Sequence, residues 1–567
     1  MQLTINRGFS PLRCVFALHR TSRSLITSFV HSSTQHQIRT LTMSSCLGDV
    51  YWDDDSFYHY TGGRWLFNEA EQLADRRVKF NMTELVRVAT ASLGYSLSSC
   101  IGVQKLPEGN YNKAFLIKMC DGRQVVAKVP NPNAGLPFYT TASEAATMDF
   151  LNFLRMRTIA GIPSPKVYAW NACAAGNPVG AEYIIMEKSD GVLLSSKWPT
   201  MSMKEKHQLT QCIIGFERSL LSHHFENIGS LYYETDLARS QDKFSTTAYS
   251  GFVVGPTTDR KFLEDGRRTF DSDKGPWSTA SEYILASARR ERECIQRSTK
   301  FPKPEGIFGG PRSYQPTADA KLAVLDDFEK VAPYLLPKDT SVHVPVLWHG
   351  DLHHDNIFVD PADPSQILSI IDWQSVHIAP LFQQATTPAF LEFDGPKEPD
   401  GLSVPSLPKN FEELSLVEKE RAKTLLAQQS LYKLYEIQSA RQNPPVFKAL
   451  RYASTLGGQI ISLVSQVFND GEPIVKGQLI QVAHEWDRIV AAQEVDQQKW
   501  EEGVQLMEDV LEALGGSENG WQGWVNHEDY SQMKGKLSTV RKQFLDHMAE
   551  NEEEREAWDR VWPFQDK

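Results

Sequence analysis

Two short segments in the middle of the chain carry the residue types best suited to chemistry. The first, residues 349–356, has the sequence HGDLHHDN, and the second, residues 370–373, has the sequence IIDW. Each lies at the end of an apolar run, at 344–348 and 367–371, whose composition favours a β-strand. Polar groups at the ends of buried strands are held in fixed positions, so these segments are the first candidates for a functional site.

The two segments supply the groups that phosphoryl transfer requires. This reaction needs a carboxylate that orients the attacking hydroxyl and accepts its proton, and oxygen ligands that hold Mg²⁺ against the phosphates. Asp351 and Asn356 belong to one predicted loop, and Asp372 follows at the end of the next apolar run. The order H-x-D-x-x-x-x-N followed by D is that of the catalytic loop and metal-binding strand in kinase-like folds. The sequence therefore predicts Asp351 as the catalytic base, and Asn356 and Asp372 as metal ligands.

The motif HGDLHHDNIFVD followed by IIDWQ resembles the aminoglycoside phosphotransferase and choline kinase-like family. The resemblance implies an α+β, protein-kinase-like fold with two lobes, a small β-rich N-lobe and a large, mainly helical C-lobe. It also implies ATP and Mg²⁺ as cofactors, and a role for His349 in orienting the catalytic loop. The arginine that follows the motif histidine in protein kinases, the DFG motif and the APE motif do not occur at these positions, which favours a small-molecule hydroxyl substrate over a protein.

Two other interpretations of the same histidines compete with this one. A zinc site on His349 and His353 would need helical i,i+4 spacing, which Gly350 disfavours. The second alternative is a satisfied hydrogen-bond cluster in a chain without activity, and the sequence leaves this alternative open. His353 and His354 are interpreted as local hydrogen-bonding residues.

A kinase-like N-lobe also requires a phosphate-binding loop. Residues 106–115 form a turn between two predicted strands and resemble the family pattern G-x-x-N-x-x-[FY]. Gly109 permits a close approach of the backbone to phosphate, and Asn110 and Asn112 are candidate hydrogen-bond donors to it.

The remaining N-lobe parts follow in the expected order. The segment VVAK at 125–128 resembles the kinase strand whose lysine, here Lys128, binds the α- and β-phosphates. Glu144, in the helix predicted next along the chain, is the expected ion-pair partner of Lys128. Residues 187–191 follow an apolar strand and are the expected hinge to adenine, with Glu187 and Ser189 as candidate binding residues.

The surrounding pattern predicts the elements that position these residues. Alternating apolar residues predict strands at 113–118 and 124–128, and a further strand at 182–186. Helices are predicted at 69–93 and 141–157, and over most of the chain beyond residue 411.

Composition excludes several classes of protein. The 567 residues carry a net charge of −12, which argues against a nucleic-acid-binding surface. Seven cysteines without a C-x-x-C pair argue against a disulfide scaffold and fit a reducing compartment. The sequence holds no run of 18 apolar residues, so no membrane span is predicted.

The N-terminal segment 1–48 has the composition of a mitochondrial leader. It contains five arginines and no acidic residue, and such segments typically direct import into the mitochondrial matrix. We expect a transit peptide at 1–42, with cleavage between residues 39 and 46.

The expected domains are an N-terminal extension at 43–99, an N-lobe at 100–191, a C-lobe at 192–410 and a helical part at 411–567 packed on the C-lobe. The whole chain resembles a family of fungal mitochondrial proteins that carry a phosphotransferase-type domain, which implies a role in mitochondrial maintenance. The leading hypothesis is an active small-molecule kinase. The alternative is a weakly active or inactive nucleotide-binding protein that meets a protein partner through residues 411–567.

Overall fold

The computed structural model describes residues 40–42, 54–65, 69–157, 161–238, 249, 251–298, 301, 317–395, 405–469 and 472–486, with a few isolated residues between 538 and 555. The described residues belong to two compact units. The larger unit lies within residues 36–286 and 337–453, and it contains all the predicted site residues. The smaller unit comprises residues 287–336 and the described part of the chain from 454 onward.

The larger unit begins with a six-stranded sheet in the order β1-β2-β3-β4-β6-β5, in which every neighbouring pair is antiparallel. Its strands are β1 (Thr40–Thr42), β2 (Cys100–Lys105), β3 (Asn112–Met119), β4 (Gln124–Pro130), β5 (Val167–Asn171) and β6 (Tyr183–Glu187). The tight turn between β3 and β4 is possible because Gly122 adopts a positive φ of 89°. This turn and both strands were predicted from the sequence.

One face of the sheet packs against a helix, α2 (Met82–Ser92), which follows the short helix α1 (Glu69–Ala74) along the chain. Leu85 and Val86 of α2 join Phe115 and Ile117 of β3 in a single apolar core. The prediction of one continuous helix over 69–93 is wrong, because the chain leaves the helical conformation after residue 74. Asn81 then starts a new helix by accepting a hydrogen bond from the Glu84 backbone N–H.

The rest of the larger unit consists of helices and short strand pairs. Its helices are α3 (Tyr139–Arg157), α4 (Leu194–Lys197), α5 (Met203–Leu221), α6 (Glu234–Leu237), α7 (Ala280–Arg297, which continues into the smaller unit), α9 (Leu381–Gln384), α10 (Leu416–Gln442) and α11 (Pro444–Ala453). The strands are β7 (Val192–Leu193), β8 (Ser230–Tyr233), β9 (Phe252–Gly255), β10 (Pro345–Leu347), β11 (Ile357–Val359), β12 (Ile367–Ile370) and β13 (Ile378–Pro380). Three small sheets pair β10 with β13, β8 with β9, and β11 with both β12 and β7.

These small sheets hold the two segments singled out by the sequence. The hairpin of β11 and β12 joins them, with Ile357 opposite Ile370, so the ends of both segments meet at one edge. The long helix α10 packs against α5, and Tyr435 of α10 donates a hydrogen bond to Glu217 of α5 at 2.9 Å.

The smaller unit is helical over its described residues and contains α8 (Ala318–Leu335), α12 (Leu456–Leu463) and α13 (Glu472–His484). Its interior holds the ion pair of Arg290 with Glu291, at 2.9 Å, and Lys321, which donates to the backbone carbonyl of Asn469 at 2.9 Å. No helix in the described part of the chain is long and apolar enough to cross a membrane.

The α+β, kinase-like architecture predicted from the sequence is confirmed, with an antiparallel sheet first and mainly helical structure after it. The predicted leader lies outside the described residues except for its last three, which form β1. The predicted helices between residues 487 and 537 also lie outside them.

Candidate active site

The centre of the site is a three-residue ion cluster assembled from three elements. Lys128 of β4 places its Nζ 2.6 Å from Oε1 of Glu144 on α3 and 3.0 Å from Oδ1 of Asp372, which follows β12. Lys128 and Glu144 are 7% and 2% exposed, whereas the side chain of Asp372 is partly open to solvent. The sequence assigned these residues to one site, and the fold brings their charged groups into contact.

The charges in this cluster keep the lysine protonated and the aspartate ionised. Burial lowers the pKa of Lys128, but the carboxylates of Asp372 and Glu144 outweigh burial and raise it above its ordinary value. Burial likewise raises the pKa of Asp372, and the positive charge of Lys128 outweighs that effect, so the pKa of this carboxyl group lies below its usual range. An ionised carboxylate beside a lysine is the charge state needed to hold a metal ion and phosphates together.

The backbone aims Asp372 into the cluster through an uncommon conformation. Its φ is +63°, in the left-handed region that costs a non-glycine residue about 1–2 kcal/mol. The neighbouring Trp373 offsets this cost because its ring is buried and its Nε1–H donates to the Ile370 carbonyl at 2.8 Å. The buried tryptophan therefore acts as an anchor that fixes the direction of the preceding carboxylate.

His349 ties the catalytic loop to this strand end. Its Nδ1 accepts from the backbone N–H of Asp351 at 3.3 Å, and its Nε2 donates to the carbonyl of Ile371 at 3.0 Å. Both ring nitrogens are used, which defines a neutral imidazole, and burial lowers the pKa of His349. This geometry supports the expected orienting role, because the ring links the backbone of Asp351 to that of Ile371.

The catalytic loop leaves the predicted base accessible. The side chain of Asp351 is 55% exposed, and its Oδ2 lies 3.9 Å from Nε2 of His353. The buried Asn356 donates its side-chain amide to the backbone carbonyl of Asp351 at 2.9 Å. The loop is thereby closed by its own asparagine, while the carboxylate of Asp351 projects towards solvent. His354 packs against Trp198 and Phe390, and burial lowers its pKa to about 4.

The residues present suit a magnesium ion bound together with a nucleotide. The amide nitrogen of Asn356 is occupied by Asp351, which leaves its oxygen as the ligand atom, and Asp372 offers a carboxylate. Mg²⁺ commonly takes one or two protein oxygens and completes its octahedron with phosphate oxygens and water. Within the described ranges, the structure has no group of three or more His, Cys, Asp or Glu side chains able to hold a metal alone.

The predicted phosphate loop lies between β2 and β3. A Cβ added to Gly109 would meet no protein atom within 4 Å, so nothing in the fold itself requires glycine there. The carbonyl of Asn110 accepts weak hydrogen bonds from the side chains of Asn131 and Asn133, at 3.4 and 3.3 Å.

Asn112 is placed differently from the expectation. Its side chain forms a reciprocal pair with Gln374, donating to Oε1 at 3.0 Å and accepting from Nε2 at 2.8 Å. The amide of Asn112 therefore joins the predicted phosphate loop to Gln374, which follows β12. Gln374 is buried and lies two residues after Asp372, so this pair connects the two lobes at the site.

The base of the phosphate loop is fixed by a carboxylate that the sequence did not single out. The buried side chain of Glu108 binds Nζ of Lys105 and Nζ of Lys113, each at 2.8 Å. It also accepts hydrogen bonds from Thr61, from its backbone N–H at 2.7 Å and from its hydroxyl at 2.8 Å. The N-terminal extension thus braces the loop next to Gly109.

The predicted hinge leads from β6 to β7. The side chain of Glu187 is exposed and accepts from the backbone N–H of Lys166 at 3.2 Å, while the hydroxyl of the buried Ser189 donates to Ser369 at 2.9 Å. Gly191 has a φ of +85°, and a Cβ there would lie 2.3 Å from the carbonyl oxygen of Val359. These contacts fix the hinge against the β11–β12 hairpin. The groups of 187–189 that could contact an adenine ring are therefore those of the backbone.

Arg260 is a second site residue that the sequence pattern does not reveal. It lies in a segment that the sequence marks only as polar, and its guanidinium is 3.4 Å from the centre of the Tyr111 ring in the phosphate loop. No spacing rule connects residue 260 with residues 111 and 374, because the contact depends on how the loop after β9 folds back.

Comparison with known proteins identifies relatives of this chain. A model described as the phosphotransferase enzyme family matches residues 310–386. The chain is 35% identical over 364 residues to a subtelomeric hrmA-associated cluster protein of Aspergillus fumigatus, covering 59% of this chain and 69% of that protein. It is 27% identical over 409 residues to the mitochondrial altered inheritance of mitochondria protein 9 of Yarrowia lipolytica, covering 66% of each.

Among solved structures, the chain aligns with a thermostable mutant of aminoglycoside phosphotransferase APH(4)-Ia, crystallised in a ternary complex with ADP and hygromycin B. The identity is 15% and the TM-score 0.33, over 70% of this chain and 96% of that one. The family resemblance inferred from the motifs is confirmed by the family model and by the relatives in sequence.

Proposed function

Since the chain belongs to the phosphotransferase enzyme family, we propose that it is a kinase that transfers the γ-phosphoryl group of ATP to a hydroxyl group of a small molecule. The observation that carries this proposal is the contact of Lys128 with both Glu144 and Asp372. A buried lysine shared by a helix carboxylate and a strand-end carboxylate is the arrangement that positions nucleotide phosphates in kinases.

In this proposal Asp351 is the catalytic base. Its exposed carboxylate would accept the proton of the substrate hydroxyl as the hydroxyl oxygen bonds to the γ-phosphorus and the bond from that phosphorus to ADP breaks. His349 would hold the catalytic loop in its orientation through its two hydrogen bonds to the backbone. The proton would leave from Asp351 to water after the phosphorylated product departs.

The remaining residues would bind ATP and magnesium. Asn356 and Asp372 would hold Mg²⁺, which supplies positive charge against the β- and γ-phosphates when bound. Lys128 would contact the α- and β-phosphates, with Glu144 keeping its ammonium in place. The backbone of the Gly109 loop would cover the phosphates, and the backbone at Glu187 and Ser189 would contact adenine.

We also propose that the protein works in the mitochondrial matrix. Support comes from the acid-free, arginine-bearing segment 1–48 and from the relatives that are named as mitochondrial proteins. A fusion of residues 1–48 to a fluorescent reporter should localise to mitochondria. The same fusion with its five arginines changed to glutamine should remain in the cytosol, and a wild-type fusion that stays cytosolic would contradict the proposal.

The catalytic proposal is tested with the full chain and two variants. Thermal shift and calorimetry should show ATP binding that depends on Mg²⁺ for the wild type and for Asp351→Asn alike. Transfer of phosphate to a panel of hydroxyl compounds, followed by mass spectrometry, should occur for the wild type and fall by about 10³-fold or more for Asp351→Asn. The matched control, Asp360→Asn, changes an aspartate beyond the loop and should retain activity. Absence of ATP binding to the wild type would contradict the proposal.

A further inference from the structure

The loop that follows β9 brings a second cation to the phosphate side of the site. Arg260 begins a short 3-10 helix, Arg260–Phe262, which is started by Asp259 accepting a hydrogen bond from the Lys261 backbone N–H. Packing fixes the position of this helix, because Phe262 is buried against Trp277 with ring centres 5.3 Å apart. Arg260 therefore extends from a well-packed segment.

The guanidinium of Arg260 lies between the phosphate loop and the metal strand. It stacks on Tyr111 at 3.4 Å from the ring centre, and its Nη2 donates to Oε1 of Gln374 at 3.2 Å. The same Gln374 oxygen accepts from Asn112. The arginine therefore contacts a residue on each side of the place where the phosphates of a nucleotide would lie in the proposed function.

The contact with Gln374 also determines how close Arg260 lies to the proposed metal ligand. Gln374 follows Asp372 by two residues, and its side-chain oxygen is 3.2 Å from Nη2 of Arg260. The guanidinium is therefore attached to the segment that carries the proposed metal-binding carboxylate.

One nitrogen of the guanidinium, Nη1, has no hydrogen-bond partner among the described residues. Within the described part of the chain, the buried Nη1 makes no hydrogen bond, and its ion-pair contact with Oε1 of Glu264 is 3.8 Å long. A buried, charged donor without a hydrogen bond is costly unless a ligand completes it. The carboxylate of Glu264 is itself engaged by the hydroxyl of Tyr111 at 3.2 Å.

We propose that Arg260 is a phosphate-binding residue whose Nη1 donates to the terminal phosphates of the bound nucleotide, opposite Lys128. The inference rests on the proposed function and adds to it a residue outside the family motifs. Arginine suits this task because its planar fork can bond a phosphate while still bonding Gln374. The position of the loop 256–270 would then depend on whether the phosphates are bound.

A purely structural role for Arg260 predicts a different result. If the arginine only pins the phosphate loop to Gln374, its loss would weaken every nucleotide equally and would lower the thermal stability of the free protein. A phosphate contact instead makes the loss depend on the number of phosphates. Binding of AMP, ADP and ATP to one variant therefore separates the two roles.

The experiment compares Arg260→Met, Arg260→Lys and the control Lys261→Met, which removes the same charge from the exposed neighbouring residue. Dissociation constants for AMP, ADP, ATP and inorganic tripolyphosphate are measured by calorimetry on the full chain, with and without Mg²⁺. For Arg260→Met we expect about tenfold or greater weakening for ATP and tripolyphosphate, and less than about twofold weakening for AMP. Arg260→Lys should recover part of the loss, and Lys261→Met should bind like the wild type.

Each remaining outcome overturns the inference in a recognisable way. Equal weakening for AMP and ATP, or no weakening for either, contradicts the phosphate contact while leaving the proposed kinase function intact. A wild type that binds neither ATP nor tripolyphosphate overturns the proposed function and this inference together.

Discussion

Asn356 donates its side-chain amide to the backbone carbonyl of Asp351 at 2.9 Å, so the proposed metal ligand and the proposed base are held in one closed loop. The same asparagine accepts, through its backbone carbonyl, the N–H of Ile371 at 3.0 Å. A single buried residue therefore fixes the spacing between the base and the strand that ends at Asp372. Loss of the side chain should affect both metal binding and the position of the base.

This relationship predicts the behaviour of two substitutions at residue 356. Asn356→Ala should lower kcat/KM by about 100-fold, equivalent to about 2.7 kcal/mol, because it removes a ligand and opens the loop. Asn356→Asp keeps an oxygen ligand but loses the hydrogen-bond donor. At saturating Mg²⁺ it should therefore be more active than Asn356→Ala, and its half-maximal rate should require a Mg²⁺ concentration different from that of the wild type. Titration of the rate with Mg²⁺ checks this.

The control for residue 356 is Asn152→Ala. Asn152 also donates its amide to a backbone carbonyl, that of Pro165 at 3.2 Å, but it lies on α3 outside the site. Its replacement should leave the Mg²⁺ dependence unchanged. Equal Mg²⁺ titration curves for Asn356→Ala and the wild type would show that Asn356 is not a ligand.

The order of the site residues along the chain was predictable because each belongs to a local pattern. Lys128 ends a run of apolar residues on a strand, and Asp372 follows another, so their approximate positions follow from strand signals and motif spacing alone. The contact between them, across 244 positions, follows from the two-lobed fold that the motifs imply.

Other parts of the site could not be read from the sequence, because they depend on contacts that carry no local signal. Gln374 bonds Asn112 across 262 positions, and Arg260 meets Gln374 across 114. Glu108 resembles any surface acid in the sequence, and its role appears only when two lysines and Thr61 converge on it. The helix predicted over 69–93 is interrupted after residue 74 for a related reason. The backbone carbonyl of Arg76 accepts from Nζ of the buried Lys113 at 2.8 Å, a contact that has no local signal.

Removal of the central lysine should destabilise the fold. Lys128→Met leaves the buried carboxylate of Glu144 without its cation, and breaking a buried ion pair typically costs about 3–5 kcal/mol. The free energy of unfolding, measured with urea, should fall by this order. The double variant Lys128→Met with Glu144→Gln should recover part of the loss, because no unpaired charge then remains in the pair.

The matched control for Lys128 is Lys118→Met on β3. Lys118 lies on the neighbouring strand and is only partly buried, so its loss should change the free energy of unfolding by less than about 1 kcal/mol. If Lys128→Met is as stable as this control, the ion pair does not stabilise the fold.

The position of β1 limits where the proposed leader can be removed. Thr40–Thr42 pair with β2, with Thr40 opposite Gln104 and Thr42 opposite Gly102. This pairing argues against the boundary at residue 42 expected from the sequence, because cleavage after Thr42 would expose the edge of β2. We therefore expect the mature chain to begin at or before Thr40. Mass spectrometry of the N-terminal peptide of protein purified from mitochondria checks this, and a first residue beyond Thr42 would contradict it.

The contact of Tyr435 with Glu217 predicts a pH-dependent stability. Burial raises the pKa of Glu217 to about 8, although the hydrogen bond from Tyr435 opposes this effect. The folded protein therefore keeps a proton on Glu217 between pH 4.5 and 8, whereas the unfolded chain releases it. Stability is present below pH 4.5 and is lost as pH rises through this window, by about 1.4 kcal/mol per unit at most.

Glu217→Gln isolates this effect because glutamine keeps the shape and an oxygen that can accept from Tyr435. The free energy of unfolding of the variant minus that of the wild type should increase steadily from pH 5 to pH 8. Glu226→Gln, at an exposed position five residues past α5, should show no such trend. Urea unfolding of all three proteins across this range measures the difference, which cancels the contribution of every other titrating group. A constant difference would mean that Glu217 is ionised in the folded protein throughout, and that its burial is offset by a cation the contacts above do not include.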